Sequence, residues 1–125
     1  MRSRIALTML TSIPVLALLG GAAFGAAAKA PDIPPALEGK AYKAVRAKIL
    51  AAGWKPDNRT ASTESEKALQ KQYPELRYCA VDSPLCSLYF MGKDGACLRI
   101  VTRGEAPEKY RVEVVVRECD DVAPR

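Results

Sequence analysis

The sequence predicts a small α+β domain in which one or two N-terminal helices pack on a three-stranded antiparallel β-meander that disulfides stabilise. Three observations lead to this prediction. Residues 40–52 carry apolar side chains at helical spacing, and from Leu85 onward the apolar side chains alternate as in strands. The four cysteines of the 125-residue chain all lie in the later part, at position 79 or beyond. Such an order favours helices laid on one face of a sheet.

The first predicted helix spans residues 40–52. Its apolar positions recur on one face, where a neighbouring sheet would cover them; they are Tyr42, Val45, Ile49 and Ala52. Gly53 follows the last turn, where a left-handed residue is favoured, and Pro56 prevents continuation.

A basic arc, formed by Lys40, Lys43 and Arg46, lies on the opposite side of this helix. It is either an ordinary solvated face or a docking surface for an anionic partner. Tyr42 and Trp54 lie beside the arc, so these five residues form the candidate binding site. The alternative for Trp54 is a core position that anchors the end of the helix to the sheet.

A second helix is predicted over Glu64 to Gln72. Thr63 and Glu66 have the spacing of a capping box, and Pro74 ends the segment. Its apolar content is low, and a loop with helical turns is the alternative.

The meander is predicted from three apolar segments: Leu85 to Met91, Ala96 to Arg103 and Tyr110 to Glu118. The turn between the first two contains Gly92 and Gly95, and a bulge at Gly95 would place Leu88 and Phe90 on the face of Leu98 and Ile100. In the last segment we expect one face to hold Val112, Val114 and Val116, with Val115 as the exception. A short strand within residues 54–59 would add an edge.

The first 28 residues are typical of a cleavable secretory signal peptide. Two arginines precede an apolar segment, and small residues follow it. Ala26 and Ala28 suit signal peptidase, which predicts a cut after Ala28; an uncleaved membrane anchor is the alternative. The predicted order is a signal peptide (1–28), an extended lead-in (29–38), one domain (39–121) and a tail (122–125). We expect a periplasmic or secreted protein without a membrane span after cleavage.

Four cysteines in an exported chain indicate two disulfides. A hairpin turning near residue 106 would bring Cys97 and Cys119 together, which leaves Cys79 to pair with Cys86. A zinc site is the rival interpretation, but the chain has no histidine and no C-x2-C pair. We therefore expect no metal and no cofactor.

Composition narrows the function classes. Loss of residues 1–28 would lower the net charge from +5 to +3, because Arg2 and Arg4 lie there. The sequence has no cluster of Lys and Arg residues of the kind that would predict nucleic-acid binding. Without histidine the commonest acid–base group is missing, so we expect no enzyme. The leading prediction is a non-catalytic binding or interaction module of the cell envelope, with a cell-wall component or a periplasmic protein as partner. The alternatives are an inhibitor of a secreted hydrolase, inserting Gly92–Gly95 or Asp82–Leu85, and a small enzyme without histidine.

Two resemblances bear on these predictions. Residues 33–56, with Ile33-Pro34-Pro35, Gly39, and Gly53-Trp54-Lys55-Pro56, resemble the opening of a PASTA repeat, which implies binding to peptidoglycan. PASTA repeats lack the cysteine-containing hairpin that follows here. The whole pattern, with Tyr73-Pro74-Glu75 and the Asp94-Gly95 hairpin, is similar to small uncharacterised exported proteins of Gram-negative bacteria, which implies a periplasmic location.

Overall fold

The computed structural model describes residues 31–119. The predicted signal peptide, its cut after Ala28 and the tail 122–125 lie outside the described residues. The helices are α1 (Tyr42–Ala51) and α2 (Glu64–Gln70); the strands are β1 (Lys55–Pro56), β2 (Leu76–Cys79), β3 (Leu85–Met91), β4 (Cys97–Arg103) and β5 (Arg111–Val116). No helix within residues 31–119 is long and apolar enough to cross a membrane.

The five strands form one antiparallel sheet around β3. One edge of β3 pairs with β4 along its whole length, and β4 pairs in turn with β5. The other edge of β3 is divided between β2, which pairs with its first half, and β1, which pairs with its last two residues. The α+β class is confirmed, but the three-stranded meander is a correction, because the sheet has five strands. The edge strand expected within residues 54–59 is present as β1, whereas β2 was not predicted. With four residues, β2 is too short for an alternating pattern to be recognised.

Helix α1 covers one face of the sheet with the apolar stripe that the sequence predicts. Tyr42, Val45 and Ile49 are fully buried and belong to one core with residues of β3, β4 and β5. The helix begins two residues later than predicted, because the chain before it pairs with β5: the Gly39 amide donates to the Val112 carbonyl at 2.7 Å. Ala41 forms an isolated bridge with Arg111.

Helix α2 is a true helix rather than a loop, although it ends at Gln70 instead of Gln72. The Thr63 hydroxyl accepts a hydrogen bond from the Glu66 amide at 3.2 Å and donates one to Glu66 Oε1 at 2.6 Å. This satisfies an amide of the first turn that has no partner within the helix.

A register shift in β5 overturns the predicted valine face. Val112 pairs with Thr102 and Val114 pairs with Val101, so β5 has one more residue than β4 between these two pairs. Val112 and Val115 therefore lie on the same face, although two residues separate them in the chain. This bulge directs Val112 and Val115 towards the core, while Val114 is 44% exposed on the other face. Val112, Val114 and Val116 therefore do not share one face.

Both predicted disulfides are present. They join Cys79 to Cys86 across β2 and β3, with a Cα–Cα distance of 4.0 Å, and Cys97 to Cys119, with a Cα–Cα distance of 5.8 Å. The β3–β4 loop closes through Gly95, whose φ of 75° suits the last residue of a three-residue hairpin loop.

Candidate functional site

The structure divides the five predicted binding residues into two groups. Lys40 and Lys43 are exposed and Arg46 is a quarter exposed, so the basic arc faces solvent. Tyr42 is completely buried and Trp54 is 3% exposed. The Trp54 indole donates to the Asp32 carbonyl at 3.2 Å and so fastens the lead-in to the end of α1. Trp54 therefore takes the anchoring position that the sequence had left as an alternative.

Arg46 is positioned by a buried carboxylate that the sequence analysis missed. The side chain of Glu75 is fully buried, and its Oε1 accepts from Arg46 Nε and from the Tyr42 hydroxyl, each at 2.6 Å. Arg46 Nη2 donates to Oε2 at 3.3 Å, which makes the ion pair two-pronged. We call Tyr42, Arg46 and Glu75 the core triad.

Electrostatics fix the protonation of Tyr42 and Arg46. Burial, followed by the charge of Glu75, raises the pKa of Tyr42 well above its usual value. The hydrogen bond to Glu75 raises the pKa of the Arg46 guanidinium. Tyr42 is therefore a neutral donor and Arg46 a permanent cation at any physiological pH.

A groove of about 550 Å³ lies over Arg46. Tyr73 lines it, and the Tyr73 ring lies edge-to-face against Tyr42, with 5.0 Å between centroids, and 5.6 Å from Arg46 Cζ. The lining comes from α1, from the segment after α2 and from the turn before β5: Lys43, Arg46, Ala47, Leu50, Gln72, Tyr73 and Glu108. Cations beside an aromatic and aliphatic wall suit an anionic ligand with an apolar body.

A second feature projects from the sheet at the β2–β3 hairpin. The Cys79–Cys86 disulfide closes the base of this loop, and the Ala80 amide donates to the Leu85 carbonyl at 2.8 Å. Val81 at the tip is as exposed as in an extended chain. The loop therefore presents an aliphatic side chain on a covalently closed frame.

On the side of the sheet opposite α1, the carboxylate of Asp57, which follows β1, forms ion pairs with two arginines. Asp57 is 6% exposed, its Oδ2 lies 2.8 Å from Arg59 Nη2, and its Oδ1 lies 3.1 Å from Arg77 Nη2. Burial alone would raise the pKa of Asp57, but the hydrogen bonds from Arg59 and the charge of Arg77 outweigh burial and hold that pKa below its usual value. Asp57 is thus an anion at neutral pH.

Neither a protein-family model, nor a curated protein, nor a solved structure matches this chain. Within residues 31–119 no group of three or more His, Cys, Asp or Glu side chains is placed to hold a metal ion. The function is therefore inferred from the groove, the hairpin tip and the Asp57 region.

Proposed function

We propose that this protein is a non-catalytic binding module of the bacterial cell envelope, exported to the periplasm, and that the groove along α1 binds an anionic cell-wall polymer. The observation that carries the proposal is the fixed position of Arg46 over Tyr73. Because Glu75 holds Arg46 on two atoms, the guanidinium is oriented before a ligand arrives, which reduces the entropy lost on binding.

Charge and cysteine chemistry support the same assignment. Lys40 and Lys43 extend the positive potential of Arg46 along the exposed side of α1, and a polymer with regularly spaced carboxylates would contact several of them at once. The two disulfides suit an oxidising compartment such as the periplasm. The PASTA-like pattern of residues 33–56 agrees with peptidoglycan as the polymer.

Co-sedimentation with purified peptidoglycan tests the proposal. We expect Lys43→Glu to weaken binding about fivefold or more, the equivalent of about 1 kcal/mol, because it reverses a charge at the groove. Lys48→Glu is the matched control: Lys48 is also exposed on α1 but does not line the groove. Binding should also weaken as salt increases. Wild-type protein that stays in the supernatant, or equal losses for the two variants, would refute it.

The hairpin tip favours a second candidate function, inhibition of a secreted hydrolase. Inhibitory loops present one side chain on a frame that changes little on binding, and Val81 on the disulfide-closed β2–β3 loop has that form. The test is capture of a hydrolase in equal molar amount from periplasmic extract, followed by its activity assay. The inhibitor function requires that the wild-type protein inhibits the captured enzyme and that Val81→Asp does not.

A further inference from the structure

Unpartnered polar atoms concentrate on the sheet face that α1 does not cover, which we call the open face. Among the residues that the structure describes, five buried side-chain polar atoms have no hydrogen-bond partner. One is Glu66 Oε2 in α2; the other four are Arg77 Nε, Arg77 Nη2, Ser87 Oγ and Arg99 Nε. Buried donors without partners are rare in native proteins, and four within one small region need a physical explanation.

The register of the sheet places the residues that carry these four atoms next to Tyr89. Tyr89 pairs directly with Arg99 across β3 and β4, and Ser87 lies two residues before it, on the same face. Arg77 reaches the ring from the other side, where a register shift in β2 separates Leu76 from Tyr78, and its Cζ lies 5.9 Å from the ring centroid. Arg77 and Arg99 therefore lie on the two strands that neighbour Tyr89, one on each side of it.

The charge of these guanidiniums is not balanced by the described residues. Arg77 is only 4% exposed, and its single carboxylate contact, Asp57, is shared with Arg59. The 3.1 Å contact between Arg77 Nη2 and Asp57 is an ion pair without hydrogen-bond alignment. The side chain of Arg99 forms neither an ion pair nor a hydrogen bond within residues 31–119, and its Nε is without an acceptor. A buried cation without a full partner is costly unless another anion completes the site.

A cleft of about 430 Å³ adjoins this cluster. Its wall includes Met91 and Cys97, a pair that lies on the same face as Tyr89 and Arg99 and two residues further along the ladder. The remaining lining residues are Asp57, Arg59, Gly95 and Cys119. The cleft lies beside the cluster, since its wall includes Asp57, which contacts Arg77, and it leaves room for the body of a small ligand.

We propose that Arg77, Arg99 and Ser87 form an anion-binding site on the open face, which takes the carboxylate or phosphate group of a small ligand whose body occupies the cleft. Guanidinium N–H groups match the oxygens of both anions and form their strongest hydrogen bonds with them. The Ser87 hydroxyl adds one donor. This site is separate from the groove along α1, so either can fail without the other.

The test follows the Nε–H groups of the arginines by NMR in the full disulfide-bonded protein. Sodium phosphate and sodium acetate are titrated separately, each replacing sodium chloride at constant ionic strength. We expect saturable shifts of the Arg77 and Arg99 Nε–H signals, which are assigned from Arg77→Lys and Arg99→Lys. Saturation with phosphate alone identifies a phosphate site, saturation with acetate alone identifies a carboxylate site, and saturation with both identifies a site that takes either anion. Arg99→Lys should weaken the binding of the effective anion about tenfold.

Arg103 supplies the matched control, because it lies on the same face but is exposed and paired with Glu113 at 3.2 Å. Its Nε–H signal should not saturate, and Arg103→Lys should leave binding unchanged. The proposal is overturned if neither anion gives saturable shifts at Arg77 and Arg99, or if Arg103 responds in the same way. The wild-type titration decides this even if a variant does not fold.

Discussion

The arginines on the two faces of the sheet differ in how their guanidiniums are paired. On the face that α1 covers, Arg46 has a carboxylate of its own, and Tyr42 donates to the same carboxylate, so every member of the core triad is partnered. On the open face, Arg77 shares Asp57 with Arg59, and Nε of both Arg77 and Arg99 remains without an acceptor. The difference indicates that Arg46 is held in place by the fold itself, whereas Arg77 and Arg99 keep unpartnered donors for the proposed anion.

The largest effect is expected when the carboxylate of the core triad is neutralised. Glu75→Gln leaves the charge of Arg46 beside a neutral amide in the core, which should lower the free energy of unfolding by about 3–5 kcal/mol. Urea denaturation measures this. Glu64→Gln is the control, because Glu64 is 89% exposed and its pair with Lys67 contributes little, about 0.5 kcal/mol at most. A loss below about 1 kcal/mol for Glu75→Gln would mean that the triad is not structural.

An intermediate effect is expected from the hydroxyl of the core triad. Tyr42→Phe removes a 2.6 Å hydrogen bond to a carboxylate and should cost about 1.5–3 kcal/mol. The pKa of Tyr42 is raised in the folded state, so its contribution is complete below the unfolded pKa of about 10 and is lost as pH rises towards the folded value. Stability measured above pH 10 should therefore fall less steeply in the Phe variant. Parallel pH curves would contradict this.

The smallest effect on stability is expected on the open face. Ser87 is fully buried and its hydroxyl has no partner, so Ser87→Ala removes an unsatisfied group. The free energy of unfolding should change by less than about 0.5 kcal/mol or increase, because no hydrogen bond is lost. Anion binding should weaken in the same variant. A loss above about 1 kcal/mol would show that the hydroxyl has a structural partner.

The sequence was sufficient for features set by local pattern. Tyr42, Val45 and Ile49 at helical spacing identified α1, and alternation identified the hairpin that brings Cys97 to Cys119. Glu75 escaped prediction because a carboxylate after Pro74 is typical of a surface turn, and only the tertiary fold brings Tyr42 and Arg46 to it.

Two bulges account for most of the remaining differences. The shift in β5 reverses the face of Val114, and the shift in β2 sits at Arg77, beside the ring of Tyr89. A one-residue slip exchanges the two faces of a strand, and nothing in a valine-rich or mixed segment marks where it occurs. The open-face cluster therefore could not be assembled from sequence.

Arginines on the two faces of the sheet should differ in what their removal costs, and urea denaturation of Arg46→Met and Arg99→Met measures that difference. We expect a loss of about 3 kcal/mol or more for Arg46→Met, because the buried Glu75 carboxylate loses its cation, and a change within about 1 kcal/mol for Arg99→Met. Equal losses, or a larger loss for Arg99→Met, would contradict this expectation.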